Sequence, residues 1–250
     1  MQYSFLIPLY NHSAVIRDVI QQLLPFNLPI IIVNDGSSAE VTAYLDNLLS
    51  LTPLLTVLHH ENNQGKGAAV QTGFSHAAKK GYDYAIQVDA DGQHSLNDIK
   101  HLLAMSQQAP GAMISGNPVY DESVPKHRYW ARYITHVWVY IETLSFSLVD
   151  SMCGFRVYPV QACVELLEKV NIGKRMDFDT EIMVRLYWQG VDIQFLPTKV
   201  IYPEGGVSHF NAFADNVLIS WMHTRLFFGM LLRSPILLAR KFNSRKSTIK

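Results

Sequence analysis

Cysteine is almost missing from this chain. Two in 250 residues, Cys153 and Cys163, leave no CxxC pair, which excludes a zinc ribbon or a dithiol redox motif. The first apolar run contains Pro8 and polar neighbours where a signal peptide would carry its apolar core, so the expectation is reduced thiols and a cytosolic chain. Net charge is missing too. Twenty-one Lys and Arg offset 21 Asp and Glu, without the basic excess of a nucleic-acid binder, and only the last dozen residues are locally basic. The most apolar stretch, "NVLISWMHTRLFFGMLLRSPILLARKF", is interrupted by His223, Arg225, Arg233 and Pro235 within the length a bilayer requires. Its aromatic residues and the basic tail after it suggest an interfacial amphipathic helix, a helix packed on the sheet, or a dimer contact.

Two phosphate-binding motifs are absent as well. The first βα turn reads "IPLYNHSAVI", with no glycine where a dinucleotide fold needs GxGxxG. "NNQGKGAAVQTG" is not a Walker A loop, since His60 stands where its first glycine belongs and Gly67 where Ser or Thr must follow the lysine. Gly65, Lys66 and Gly67 at a helix start still offer backbone N–H groups and an ammonium to an anion. The same residues also serve as a plain glycine-rich start for an alanine-rich helix.

What is present is alternation. Short β-rich runs ("SFLIPLY", "IIIVND", "LLTVLHH", "YAIQVDA", "AMISGNP") are separated by stretches of helical spacing such as "SAVIRDVIQQLL" and "KGAAVQTGFSHAAKKG". This predicts an α/β fold, a mostly parallel sheet with helices on both faces. Ligands of such sheets bind beyond the carboxyl ends of the strands. The distinctive polar residues fall at those ends: Asn11, then Asn34 and Asp35, then Asp89 and Asp91 of "QVDADGQH". Alternate residues of a strand share a face, so Asp89 and Asp91 point the same way and repel unless a cation or polar ligand sits between them.

Taken in order, "FLIPLYN", "IIVNDGSS", "NNQGKGAAVQTGF", "QVDADGQH" and "DSMCGFRVYP" resemble the inverting family 2 glycosyltransferases of GT-A fold. The similarity is strongest to the dolichol-phosphate and polyprenyl-phosphate sugar synthase branch and covers about residues 3 to 210. It implies sugar transfer from a nucleoside diphosphate donor, UDP or GDP, assisted by Mg²⁺ or Mn²⁺. It implies Asp91 as principal metal ligand, with Asp89 at the ribose or the metal's water shell and Gln93 and His209 as further ligands. Pro8, Asn11, Asp35, Lys66 and Asp89 become donor-binding candidates, Asp35 through N–H bonds from the base. Family members often carry Asp where Asn34 stands, so nothing acidic is assigned there. His94 either ligates metal or caps the helix beginning near Ser95.

The acceptor side is expected from residue 119 to 210, after a donor half of residues 1–118 and before a C-terminal helix and basic tail of residues 211–250. Asp179 and Glu181 match the family's late acidic pair, from which a general base is drawn for hydroxyl acceptors. Carboxylates in a first helical turn are also favoured by the helix dipole alone. For a lipid-phosphate acceptor no base is needed, and Arg128, Arg132 and Arg156 become phosphate-binding candidates. Arg128 and Arg132, four apart on a predicted helix, share a face, which is either a phosphate site or a solvated basic surface. A hydroxyl acceptor on a glycan or other lipid, and a catalytically silent sugar-nucleotide binder, are the alternatives; two acids at Asp89 and Asp91 favour an enzyme. The expected location is cytoplasmic, with peripheral contact at the inner membrane face. Oligomeric state is not readable.

Overall fold

The computed structural model describes residues 1–119, 126–199 and 211–248, with backbone alone for residues 126–131, 212 and 243–248. Among the described residues, seven strands form one sheet: β1 (Tyr3–Leu9), β2 (Ile30–Asn34), β3 (Leu55–His59), β4 (Tyr84–Gln87), β5 (Met113–Val119), β6 (Arg156–Pro159) and β7 (Ile193–Lys199). Their order is β3-β2-β1-β4-β6-β5-β7. All neighbours pair in parallel except β6, which is antiparallel to both β4 and β5. The five sequence-predicted strands are present. The inserted β6 is a buried four-residue strand, too short for its period to be read.

The helices are α1 (Ile16–Leu23), α2 (Ala39–Leu48), α3 (Lys66–Lys79), α4 (Ile99–Gln108), α5 (Lys126–Thr143), α6 (Val160–Lys169), α7 (Phe178–Gln189) and α8 (Ala212–Thr248). Strand β1 is buried throughout, and its side chains alternate between two cores. Phe5 and Ile7 join residues of α1, α2 and α4 on one face, whereas Leu6 joins residues of α3, α6, α7 and α8 on the other. Helices therefore cover both faces, as the apolar runs of the parallel strands require. Gly190, with φ of 91°, ends α7 in the left-handed conformation.

Pro8 has a positional reason. Tyr3–Leu6 pair with Tyr84–Gln87, and the last bond across this edge runs from Val88 N–H to the Leu6 carbonyl at 3.0 Å. Two residues on, Pro8 offers no N–H, so the ladder stops and the chain after β4 leaves the sheet. Asp89 and Asp91 thus lie on the turn past β4 and not on the strand itself, which corrects their expected placement on one strand face.

Candidate active site

The carboxyl ends of β1, β2, β3 and β4 share one edge of the sheet, and the antiparallel β6 brings its first residue, Arg156, to that edge opposite Gln87. The glycine-rich start of α3 sits there. It does bind an anion, and the anion is the chain's own Asp35. The Asp35 carboxylate accepts the backbone N–H groups of Gln64 at 2.9 Å and Gly65 at 2.7 Å, and its Oδ1 lies 2.7 Å from His60 Nδ1. His60 Nε2 reaches Thr72 Oγ1 of α3 at 2.9 Å, so β2, β3 and α3 are tied through one buried carboxylate. Gly65 has φ of 105°, and a Cβ there would stand 2.3 Å from the Lys174 carbonyl oxygen, so neither the backbone nor the space admits another residue.

Lys66, the next residue, points at acids. Its ammonium lies 3.0 Å from Asp89 Oδ1 and 3.2 Å from Asp179 Oδ2, joining the turn after β4 to the first turn of α7. Burial works against this charge, but Asp179 and Asp89 outweigh it and hold the Lys66 pKa well above the lysine range. Burial likewise opposes the Asp89 charge, and Lys66 and the bond from His94 overcome it, holding Asp89 far below the usual carboxylate range. His94 Nε2 is 3.3 Å from Asp89, and its ring stacks on Phe155 at 5.0 Å between centroids, so it holds Asp89 and does not cap a helix. Gly154 closes the cluster: a Cβ there would lie 2.6 Å from Asp89 Oδ2 and 2.7 Å from Lys66 Nζ.

Arg156 is fully buried, and its guanidinium donates to the Ser151 carbonyl at 2.7 Å, the Asp179 carbonyl at 2.7 Å and the Tyr158 hydroxyl at 3.0 Å. Its Nη1 also stands 3.8 Å from Asp179 Oδ1, an oxygen with no hydrogen-bond partner among the described residues. Asp179 is therefore gripped at both backbone and side chain by Lys66 and Arg156.

Asp91 is different. Its Oδ1 accepts the Gln93 N–H at 3.0 Å, and burial, then the adjacent Asp89 charge, pushes its pKa above the ordinary value. Asp89 is neutralised by Lys66, whereas Asp91 is an acid whose surroundings disfavour its charge. Such a carboxylate suits a divalent cation, which supplies the missing charge. Among the described residues no group of three His, Cys, Asp or Glu forms a closed metal cage. Asp89 and Asp91 could hold such a cation, with the Gln93 side chain the next oxygen donor along the turn and water and substrate phosphate to complete the set that Mg²⁺ takes.

The other expected residues divide. Asn11, at φ of 52°, accepts the Ser38 N–H at 2.9 Å and donates its own N–H to Ser37 Oγ at 2.9 Å, so it shapes the loop beyond β2 at the same edge. Pro8 is buried within β1. Glu181 is not with the cluster: fully buried, it accepts Gly173 N–H at 2.9 Å and pairs with Arg185 at 2.7 Å and Arg225 at 2.9 Å, locking α7 to α8. Arg132 turns to Asp150, with Nε donating at 2.6 Å and Nη2 in contact with the same oxygen. Burial opposes the Asp150 charge, but His136 and Arg132 outweigh it and bring its pKa down to about 2. The Arg128 side chain and all of His209 lie outside the described residues. Sequence reading passed over His60, Gln87, whose Nε2 donates to Asp89 at 3.3 Å, and Gly154 as a contact of the acidic cluster. Gln87 carried a signal, a polar residue inside a fully buried strand.

Comparison with known proteins agrees with this frame. The family model described as glycosyl transferase family 2 matches residues 4–163. The UDP-N-acetylglucosamine–dolichyl-phosphate N-acetylglucosaminyltransferase of Methanococcus voltae is 25% identical over 243 residues, covering 91% of this chain and 94% of the relative. A dolichyl-phosphate β-glucosyltransferase of Trichomonas vaginalis is 26% identical over 72% of this chain, and the match spans 60% of that longer protein. Among solved structures, glucosyl-3-phosphoglycerate synthase from Mycobacterium tuberculosis, in complex with Mn²⁺ and UDP-glucose, superposes with a TM-score of 0.64 at 15% identity. That match covers 93% of this chain and 78% of the other, a likeness of fold. With more than half of its residues matched by the family model, and with its acids gathered at the ligand-binding edge of the sheet, the chain belongs to glycosyl transferase family 2 and is a glycosyltransferase.

Proposed function

We propose that this enzyme transfers a sugar, with inversion, from a nucleoside diphosphate donor to a polyprenyl or dolichyl phosphate, using Mg²⁺ or Mn²⁺. The observation that carries the reading is the unequal acid pair: Asp89 neutralised by Lys66, and Asp91 beside it with its charge disfavoured. Asp91, Asp89 and the Gln93 carbonyl would hold the cation. When bound, it neutralises the charge that develops on the departing diphosphate. An acceptor oxygen attacks the anomeric carbon as the bond from that carbon to the diphosphate oxygen breaks. Lys66 keeps Asp89 ionised and adds positive charge at the donor side. Residues up to about 118 would serve the donor and residues 119–210 the acceptor.

A lipid-phosphate acceptor is favoured over a hydroxyl by two things. The two dolichyl-phosphate relatives carry that acceptor in their names. Asp179 is also held by Lys66 and Arg156 with its Oδ1 buried, which suits a group that orders the site more than a free general base. A phosphate monoester with a second pKa of about 6 is already a nucleophile at neutral pH and needs no base. The test is incubation with UDP- and GDP-sugars, polyprenyl phosphate and Mg²⁺ or EDTA, with the glycolipid separated and quantified. Metal-dependent glycolipid formation is expected. Transfer to a glycan hydroxyl but not to the lipid phosphate would overturn the acceptor, and undiminished transfer in EDTA would overturn the metal.

A further inference from the structure

Helix α8 is apolar on two opposite faces. Met222, Leu226, Met230 and Leu237 are buried in the core against α5 and α7. On the other side Phe213, Val217, Trp221, Phe228, Leu232 and Phe242 are exposed, Leu232 at 83%. At 100° per residue these six fall within one stripe of about 120°, running about 44 Å along the helix from Phe213 to Phe242. Helix α5 continues the surface, with Ile134, Val137, Trp138 and Ile141 exposed. Edge-to-face contacts from Trp138 to Phe227 and from Phe227 to Phe228 join the two helices into one apolar face. A single exposed apolar side chain needs no explanation, but a contiguous face of this extent is a contact surface.

Charge indicates what covers it. From Asn216 to Lys250 the sequence has seven Lys or Arg and no Asp or Glu, although the whole chain is neutral. Arg225, Arg233 and Arg240 are turned inward: Arg225 pairs with Glu181, Arg233 stacks on Trp188, and Arg240 donates to the Trp188 carbonyl. The remaining four, Lys241, Arg245, Lys246 and Lys250, gather in the sequence at the end of the stripe and after it. The acids of these two helices, Asp215 and Glu142, are buried within the chain. Two copies packed through this face would therefore bring together basic helix ends with no exposed acid from α8 or α5 to offset them, and like charges oppose a dimer. Aromatic residues in an apolar stripe, followed by a basic segment, match the surface of an anionic bilayer. No helix among the described residues is long and apolar enough to cross a membrane, so the face would lie on the surface and not span it.

We propose that the joint outer face of α5 and α8 docks on an anionic lipid bilayer. This binding does not depend on the polyprenyl-phosphate reading, because the face lies outside the acidic cluster and takes the bilayer surface itself as its ligand. The test is co-flotation of the full chain with vesicles of phosphatidylcholine alone, or with 3:7 phosphatidylglycerol to phosphatidylcholine, lacking any polyprenyl phosphate; the composition is about that of a moderately anionic leaflet. The wild type is expected to float with the anionic vesicles and to be released by salt. Trp221→Glu with Phe228→Glu should weaken binding about tenfold or more, and Ile134→Glu should weaken it several-fold, both with unchanged Tm. Failure of the wild type to bind, or binding indifferent to the α8 pair, would overturn the proposal. If only the α8 pair mattered, the joint face would be overturned. A wild type that sediments as a dimer, made monomeric by the same pair, would assign the face to a second copy instead. Donor-sugar hydrolysis, read in detergent-free buffer, reports separately on the acidic cluster.

Discussion

The strand-end cluster and the outer face of α5 and α8 depart from ordinary burial in opposite directions. At the first, Lys66, Asp89, Asp179 and Arg156 are charges withdrawn from solvent, each held by an opposite charge. At the second, Trp221, Phe228 and Leu232 are apolar groups left largely in solvent. Buried charge is costly unless paired, and exposed apolar area is costly unless covered. The cluster solves its problem internally at every acid but Asp91, and the outer face does not solve it at all. Both shortfalls point outward: one to a cation and a phosphorylated donor, the other to a lipid surface.

If that contrast is right, substitutions should separate chemistry from stability. The largest effect is expected at Asp91→Asn, which keeps the side chain's shape and removes its charge. Metal-dependent sugar transfer should fall about a thousandfold while Tm holds or rises; near-normal turnover in a folded variant would remove Asp91 from the site. Next is Arg132→Ala. Asp150 has a pKa lowered to about 2, so it contributes stability above the usual carboxylate value of about 4 and loses it as pH falls from there toward 2. Removing its arginine should cost about 2 kcal/mol at pH 7, and the difference from wild type should vanish by about pH 2 in denaturant titrations. A loss of acceptor affinity with unchanged stability would instead make Arg132 a ligand.

Smaller still is Glu142→Gln. Glu142 is fully buried 2.7 Å from His223, where burial raises its pKa despite that bond, and Glu181 adds to the rise. A raised carboxylate costs stability as pH rises through its folded value. The variant should therefore be the more stable at pH 8, with the gain shrinking toward pH 4; Tm against pH reads it. The smallest effect on folding belongs to Leu232→Ser. At so exposed a position the change should stay within about 0.5 kcal/mol, and a larger loss would mean that the outer face packs on something within the chain.

The sheet edge was legible because its strands are continuous apolar runs that end in polar residues, and the family's ordered motifs cover the same residues. Alternation and run length placed β1 to β5, and the absence of GxGxxG and of a Walker loop directed attention to the acids. The partnerships inside the site were not legible, because they are tertiary. Nothing in "GKG" tells that Gly65 serves Asp35, 30 residues earlier, or that Lys66 reaches Asp179 on a helix more than a hundred residues later. Glu181 fits the motif as well as Asp179 does. Two positions along α7 turn it by about 200°, toward Arg185 and Arg225, and only packing shows that. Arg132 read as half of a basic face because Asp150, its partner, lies in a segment without periodicity. Helix α8 was visible as apolar and basic, but its two faces could be told apart only once one of them was seen against α5 and α7.

The most direct test of the central claim, that Asp91 and Asp89 hold a cation for a nucleoside diphosphate, is calorimetric binding of UDP and GDP to the wild type and to Asp91→Asn, with and without Mn²⁺. One nucleotide is expected to bind the wild type tightly only when the metal is present, and the variant to lose the metal-dependent part. Equal affinity with and without Mn²⁺, unaltered by Asp91→Asn, would contradict it.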